Sequence, residues 1–233
     1  MNKILKENAI FIADSHYNKN NQELKYILEK IKNEEIKTSQ IFLMGDIFDF
    51  LCYEVEYFNI INSEIIKLLD ELSSSFEIFY LEGNHDYNLK KVFPNINVIK
   101  RENQPLVLNF AKQSIALSHG DNFINWHYDL YCKIIRNSFV LNFLNFLDIG
   151  FCISKRIEKA LANKDICHTL THFEELINKR VKNYSEDIII EGHYHQAKRY
   201  KVGKKEYINI PSLYCQKSYT VFIDEKFVNK ELF

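Results

Sequence analysis

Short apolar runs recur along the chain, and each ends abruptly in polar residues. "AIFIADSH" carries Ile10, Phe11 and Ile12 into Asp14 and His16, and "IFLMGDIFD" carries Ile41 to Met44 into Asp46 and Asp49. "IFYLEGNHD" runs into Asn84, "IALSHGD" into His119, and "DIIIEGHYH" into His193 and His195. Every run is too short for a helix and rich enough in Ile, Leu and Phe for a strand buried on both faces. Between the first two, Leu24, Ile27, Leu28 and Ile31 fall at helical spacing. A second helix is expected from about Tyr57 to Leu72, with Ile60, Ile61, Ile65, Leu68 and Leu69 inward. Near the C-terminus, Tyr207 to Ile210 and Tyr219 to Ile223 read as closing strands that complete a second sheet. Strand and helix in alternation imply an α/β sandwich with parallel strands at its centre. In such sheets ligands bind at the carboxyl ends of the strands, so the polar clusters are expected to converge on one spot.

Those clusters hold Asp14, His16, Asp46, Asn84, His119, His193 and His195. Carboxylate, amide oxygen and imidazole suit Mn, Fe or Zn, and a set without cysteine argues against a structural zinc knot. Seven donors exceed the needs of one ion, whereas two divalent ions sharing a carboxylate would use them all. Such a pair can clamp a phosphoryl oxygen and activate water, which points to hydrolysis of a phosphate ester or anhydride. Taken singly, each residue has a plainer reading: Asp14 or Asp46 as a helix cap, Asn84 as a turn residue, His119 as a hydrogen-bonded core histidine. Independent caps and turns have no reason to assemble a complete ligand set in order.

Length and composition leave room for this reading. With 233 residues, 46% apolar and 26% charged, the chain can bury a full core and is expected to form one domain over 1–233. A formal net charge of −1 gives no general pull toward nucleic acid, and no nucleic-acid partner is expected. The five cysteines form no CxxC and leave an odd count. That pattern is expected of reduced thiols in the cytoplasm, with no role for any of them. The N-terminal apolar stretch is broken by Glu7 and Asn8, unlike a signal peptide, and no stretch is long and apolar enough to read as a membrane span.

The ordered set "DSH", "GDIFD", "GNHD", "HGD" and "GHYH" resembles the calcineurin-like metallophosphoesterases, whose pattern is DxH, GDxxD, GNH(D/E), a later H, and GHxH. The resemblance spans residues 14 to 195 and implies a four-layer α/β/β/α sandwich carrying two divalent metals. It implies Asp14, His16, Asp46 and His195 for the first metal and Asp46, Asn84, His119 and His193 for the second, with Asp46 as bridge. His85 then matches the family's non-ligand histidine, which protonates or stabilises the leaving oxygen, and Asp86 is expected to orient it. Asp49 and Asp121 are expected to support the loops by hydrogen bonds.

Residues 122–182 exceed what one crossover helix requires, and a helical lid insertion is expected there. In "NSFVLNFLNFLDIGF" only Asn142, Asn145 and Asp148 interrupt the apolar residues from Phe139 to Phe151, so this helix should be buried or face lipid. Lys155, Arg156, Lys159 and Lys164 follow, and the segment carries nine Lys plus Arg against six Asp plus Glu. The plainer account is a lid packed on the core with a solvated basic face. The functional account adds an acyl groove, a dock on anionic membrane and cations for a diphosphate. A metallophosphoesterase core with such an insertion before GHxH is similar to the UDP-2,3-diacylglucosamine hydrolase branch. That similarity implies a UDP-sugar lipid substrate, manganese, a cytoplasmic place peripheral to the inner membrane, and substrate contacts at Arg136, Asn163 and Lys164. Here the chain departs from its best-known members, which carry Arg where His85 stands. Alternatives are a phosphatase or phosphodiesterase of another soluble nucleotide or phosphoester, and a metal-free binding scaffold.

Overall fold

The computed structural model describes residues 3–233. In chain order it runs β1 (Lys3–Ile4), β2 (Ile10–Ile12), α1 (Glu23–Lys32), β3 (Gln40–Leu43), β4 (Leu51–Cys52), α2 (Glu56–Ile61), α3 (Ser63–Ser73) and β5 (Glu77–Leu81). There follow β6 (Asp86–Tyr87), β7 (Asn97–Ile99), β8 (Leu106–Phe110), β9 (Gln113–Ser118), α4 (Trp126–Ile135), α5 (Ser138–Leu147) and α6 (Cys152–Ala162). The chain closes with α7 (Phe173–Arg180), β10 (Ile188–Glu191), β11 (Arg199–Val202), β12 (Lys205–Asn209), α8 (Leu213–Gln216), β13 (Ser218–Ile223) and β14 (Lys226–Glu231).

Two six-stranded sheets result. The first has the order β14-β13-β2-β3-β5-β7, with β2, β3, β5 and β7 parallel; the second has the order β1-β8-β9-β10-β12-β11, with β9, β10 and β12 parallel. Alternation along the central strands builds two cores at once. Ile10, Ile12, Ile41, Leu43, Ile78 and Tyr80 pack with the buried faces of α1 and α3, whereas Phe11, Phe42 and Phe79 point the other way, toward Leu117, Ile190 and Ile208 of the second sheet. The three phenylalanines stack in register, with ring centroids 4.7 and 5.0 Å apart, and each is worth about 2–3 kcal/mol of burial. On the far side of the second sheet, Phe173 and Ile177 of α7 pack with Ile189 and Tyr207. The layers are therefore α/β/β/α, and α7 belongs to the outer helical layer rather than to the helices that project over the strand ends.

Three expectations need correction. The second helix is two, α2 and α3, because Asn62 leaves helical geometry and donates its side-chain amide to the Phe50 carbonyl at 3.2 Å. This break leaves Ile60 and Ile61 exposed. The two closing strands do not share a sheet: β12 pairs with β10 in the second, while β13 pairs with β2 in the first. The cysteines are not all free thiols, since Cys167 and Cys215, 48 residues apart, form a disulfide. No local spacing signals such a pair, because two loops from different parts of the fold bring it together.

Helices α4, α5 and α6 stand over the strand ends and are tied down by polar contacts. Glu54 accepts from Ser138 Oγ at 2.5 Å and from Asn88 Nδ2 at 3.1 Å, and Tyr57 donates to Glu158 at 2.7 Å. The expected burial of the apolar helix is only partly met: Leu141 is buried, yet Phe139 and Phe146 are 82% and 79% exposed.

Candidate metal centre

All five polar clusters lie just past the carboxyl ends of β2, β3, β5, β9 and β10, three from the first sheet and two from the second. Three groups of donor atoms gather there, each within 4.8 Å: Asp14, His16 and His195; His16, Asp46 and His85; Asp46, His119 and His193. His16 and Asp46 are the shared members that join the groups. Asn84 completes the cluster, its Oδ1 3.2 Å from His119 Nε2. The structure thus brings together every residue of the expected ligand set.

Backbone geometry here is costly. Asp14, His16, Asp46, His193 and His195 all adopt positive φ, between 44° and 62°. Non-glycine residues in this region cost of order 1 kcal/mol or more each, and such residues cluster where side chains must be aimed. The motif glycines serve close approach. A Cβ on Gly83 would lie 2.2 Å from Asp46 Oδ1, and one on Gly45, itself at φ 89°, would lie 2.4 Å from the His119 ring.

Carbonyl oxygens fix the tautomers. A carbonyl only accepts, so Nδ1 of His119 donates to Met44 at 3.0 Å, Nδ1 of His195 to Ile166 at 3.0 Å, and Nδ1 of His85 to Asp49 at 2.6 Å. In each ring Nε2 is left facing the cluster, the arrangement of a metal-ligating or proton-transferring histidine. Among the described residues, buried His16 Nε2 has no hydrogen-bond partner, while its Nδ1 faces Asp49 at 3.6 Å. A buried donor atom aimed at two carboxylates and other imidazoles fits a cation.

The electrostatics agree. Burial would raise the Asp14 carboxyl, but His195 beside it, by charge and hydrogen bond, brings it below its ordinary value. Burial opposes ionisation of Asp46 as well, and His119, His85, His16 and His193 together hold it far down. Burial depresses His119, yet Asp46 and Asp14 lift it to about 9; burial and the charge on His119 push His193 down to about 4.

The residues around the cluster differ in part from their expected roles. It is the Asp49 carbonyl that orients His85, as its Nδ1 contact shows. Asp86 instead accepts from the backbone N–H groups of Asp46, Ile47 and Gly83 at 3.0, 2.6 and 2.9 Å and from Tyr80 Oη at 2.6 Å, stitching the two loops together. Burial and the Asp46 charge push Asp86 up to about 6. Asp121 accepts from Arg101 Nε at 2.9 Å and Arg136 Nη2 at 3.2 Å. Arg136 also donates to the Gly83 carbonyl at 2.8 Å, behind the turn that carries Asn84. Asn163 is exposed and donates to the Lys159 carbonyl, whereas Lys164 lines a cavity of about 690 Å³ shared with Asn84 and His85. Apolar side chains form most of its wall, among them Phe58, Tyr87, Leu141, Leu144 and Ile157.

Sequence reasoning missed one support. Buried Glu191 makes a two-pronged ion pair with Arg180, at 2.6 and 2.8 Å, and accepts from Tyr184 and Tyr207, anchoring the strand that ends in "GHYH". A glutamate inside an otherwise apolar run was the available signal. Tyr214 lies beside His16, ring centroids 6.2 Å apart.

Comparison with known proteins agrees with this geometry. Residues 8–197 match the calcineurin-like phosphoesterase family. The chain is 22% identical over 210 residues to the UDP-2,3-diacylglucosamine hydrolase of Wigglesworthia glossinidia brevipalpis, covering 85% of this chain and 84% of that protein. It is 26% identical over 218 residues to the protein of the same name from Blochmanniella floridana, covering 86% and 85%. Among solved structures, TT1561 of Thermus thermophilus shares the fold at a TM-score of 0.51, with 9% identity over 98% of this chain and 100% of that one. The match from residue 8 to 197 takes in all five motifs, and the chain belongs to the calcineurin-like phosphoesterase family, as a hydrolase acting on phosphoester bonds.

Proposed function

We propose that this hydrolase cleaves the diphosphate of a lipid-linked nucleotide sugar, UDP-2,3-diacylglucosamine giving lipid X and UMP, at a membrane surface. The observation that carries the reading is the apolar cavity of about 690 Å³ that adjoins Asn84 and His85, next to the metal cluster. A soluble nucleotide has no use for a wall of Phe, Leu and Ile at that point, whereas acyl chains bury there at about 0.8 kcal/mol per methylene. The names of the relatives point the same way.

Asp14, His16, Asp46 and His195 would hold one divalent ion, and Asp46, Asn84, His119 and His193 the other. When bound, the pair, manganese in this reading, supplies positive charge for the phosphoryl oxygens and lowers the pKa of a water. The protein's own groups do the rest. His85, anchored through Nδ1 to the Asp49 carbonyl, holds a proton at Nε2 for the leaving oxygen. Lys164 meets the diphosphate from the cavity wall, and the apolar side chains bind acyl groups and exclude water.

For the membrane, the support is the uncovered lid. Among the described residues no single helix is long and apolar enough to cross a membrane; Ser138–Leu147 and Ile149–Ala162 pass together only as a pair bent by 77°. Phe139, Phe146 and Ile149 stand exposed on this bend, with Lys155, Arg156 and Lys159 close along the chain, which suits shallow insertion beside anionic headgroups.

A substrate screen with manganese tests the reading. UDP-2,3-diacylglucosamine should be turned over at least about 100-fold more efficiently than UDP-glucose or a small model phosphodiester. Equal turnover of all three would replace it with a soluble phosphodiesterase, the reading favoured by His85 in place of the branch's arginine.

A further inference from the structure

The Cys167–Cys215 disulfide sits against the metal cluster, and its surroundings tie it to one ligand in particular. His195 Nδ1 donates to the carbonyl of Ile166, the residue before Cys167, and lies 3.6 Å from Cys215 Sγ. Beyond Cys215, Gln216 donates to the His195 carbonyl at 2.8 Å. The same turn reaches the ligand opposite: Ser212 Oγ donates to the Asp14 carbonyl at 2.8 Å, and Tyr214 N to it at 3.2 Å. One side of the disulfide is therefore built into the backbone that presents Asp14 and His195.

Its other side is loosely held. Residues 164–170 have no regular secondary structure, and Cys167 is exposed. Among the described residues, apart from the disulfide, the His195 contact and the bond from Lys164 N to the Leu161 carbonyl at 3.0 Å, their hydrogen bonds to the rest of the fold run to Gln196, which accepts from Leu170 N and donates to the His168 carbonyl, each at 3.0 Å, while Leu170 packs against the Phe173 cluster. This segment carries both Lys164 at the cavity wall and the Ile166 carbonyl that sets the His195 tautomer. Opening the disulfide would leave that carbonyl on a loop held at His168 and Leu170 but no longer at Cys167, and would loosen the partner that keeps His195 Nε2 aimed at Asp14, 3.3 Å away.

We propose that Cys167 and Cys215 form a thiol–disulfide exchange site that controls how tightly the first metal is held. The reductant is a dithiol. One of its thiolates attacks exposed Cys167, forming a mixed disulfide and releasing Cys215 as a thiolate that takes up a proton. Its second sulfur then displaces Cys167, which is protonated in turn. The cysteine pair gains two electrons and two protons, and the dithiol leaves as a cyclic disulfide. Coupling runs both ways: a metal that holds His195 in place makes the disulfide harder to reduce by the same factor that the disulfide tightens the metal.

The inference rests on the metal-site reading, and manganese binding tests the two separately. Chelator-stripped full-length protein is titrated with Mn²⁺ by calorimetry, oxidised and after dithiothreitol, beside the Cys167→Ser/Cys215→Ser variant. Thiols are counted in the denatured proteins. The oxidised protein should show three thiols and the reduced protein five. Reduction should weaken one of two sites about tenfold, the variant should match the reduced protein with or without dithiothreitol, and bound Mn²⁺ should slow reduction. Equal affinities in the two redox forms, or five thiols in protein never exposed to reductant, would overturn the exchange site while leaving the dinuclear centre standing. No manganese in either form would remove both.

Discussion

Nε2 of His195 lies 3.3 Å from Oδ1 of Asp14, so the first and last motifs of the chain meet across the gap between the two sheets. Removing the imidazole should strip one cation. His195→Ala is expected to lower the metal content measured by mass spectrometry and to cut turnover by more than the roughly 10–100-fold typical of outer supporting residues.

His85 calls for the opposite signature. Its Nδ1 is committed to the Asp49 carbonyl, which leaves Nε2 for proton delivery. His85→Ala should keep both metals and slow turnover by about 10²–10⁴-fold. A substrate whose leaving group needs no proton should be hit far less, and equal loss on both would contradict the assigned acid.

Asp86 is a structural test of the site's frame. It accepts from three backbone N–H groups within 3.0 Å and from Tyr80. In Asp86→Asn the amide nitrogen faces donors it cannot satisfy, at about 1–3 kcal/mol per orphaned group. Denaturant melts should show a loss of roughly 3 kcal/mol, with metal binding weakened in step.

The metal-free protein should respond to pH. His119 is lifted from 6.5 to about 9, against burial, by Asp46 and Asp14. A folded-state value above the unfolded one means stability that is fully present below pH 6.5 and lost as pH rises through 9. Thermal melts of chelator-treated protein should fall across that window. With metal in place of the proton this limb should vanish, and binding itself should release protons.

Much of this was legible beforehand because it is written in short-range pattern. The period-two alternation in "IFI", "QIFL" and "EIFYL" fills two cores at once, and the polar residue after each strand can only project from the sheet's carboxyl edge. The apolar spacing predicts a continuous helix across Asn62, Ser63 and Glu64 because Ile60, Ile61 and Ile65 keep helical register on either side, and the bond from Asn62 to the Phe50 carbonyl shows why the helix stops. The role of Asp49 was hidden for a different reason: its backbone carbonyl, not its carboxylate, holds His85, and no side-chain motif records that. The Cys167–Cys215 pair and the Arg180–Glu191 ion pair depend on how distant loops fold back.

Central to the whole account is Asp46 as the donor common to two groups, within 4.8 Å of His16 and His85 on one side and of His119 and His193 on the other. Metal stoichiometry of purified wild-type and Asp46→Asn protein, saturated with Mn²⁺ and desalted, tests it most directly. Two ions per chain in the wild type and fewer than one in the variant are expected; a single ion in the wild type, or two retained without the Asp46 carboxylate, would contradict it.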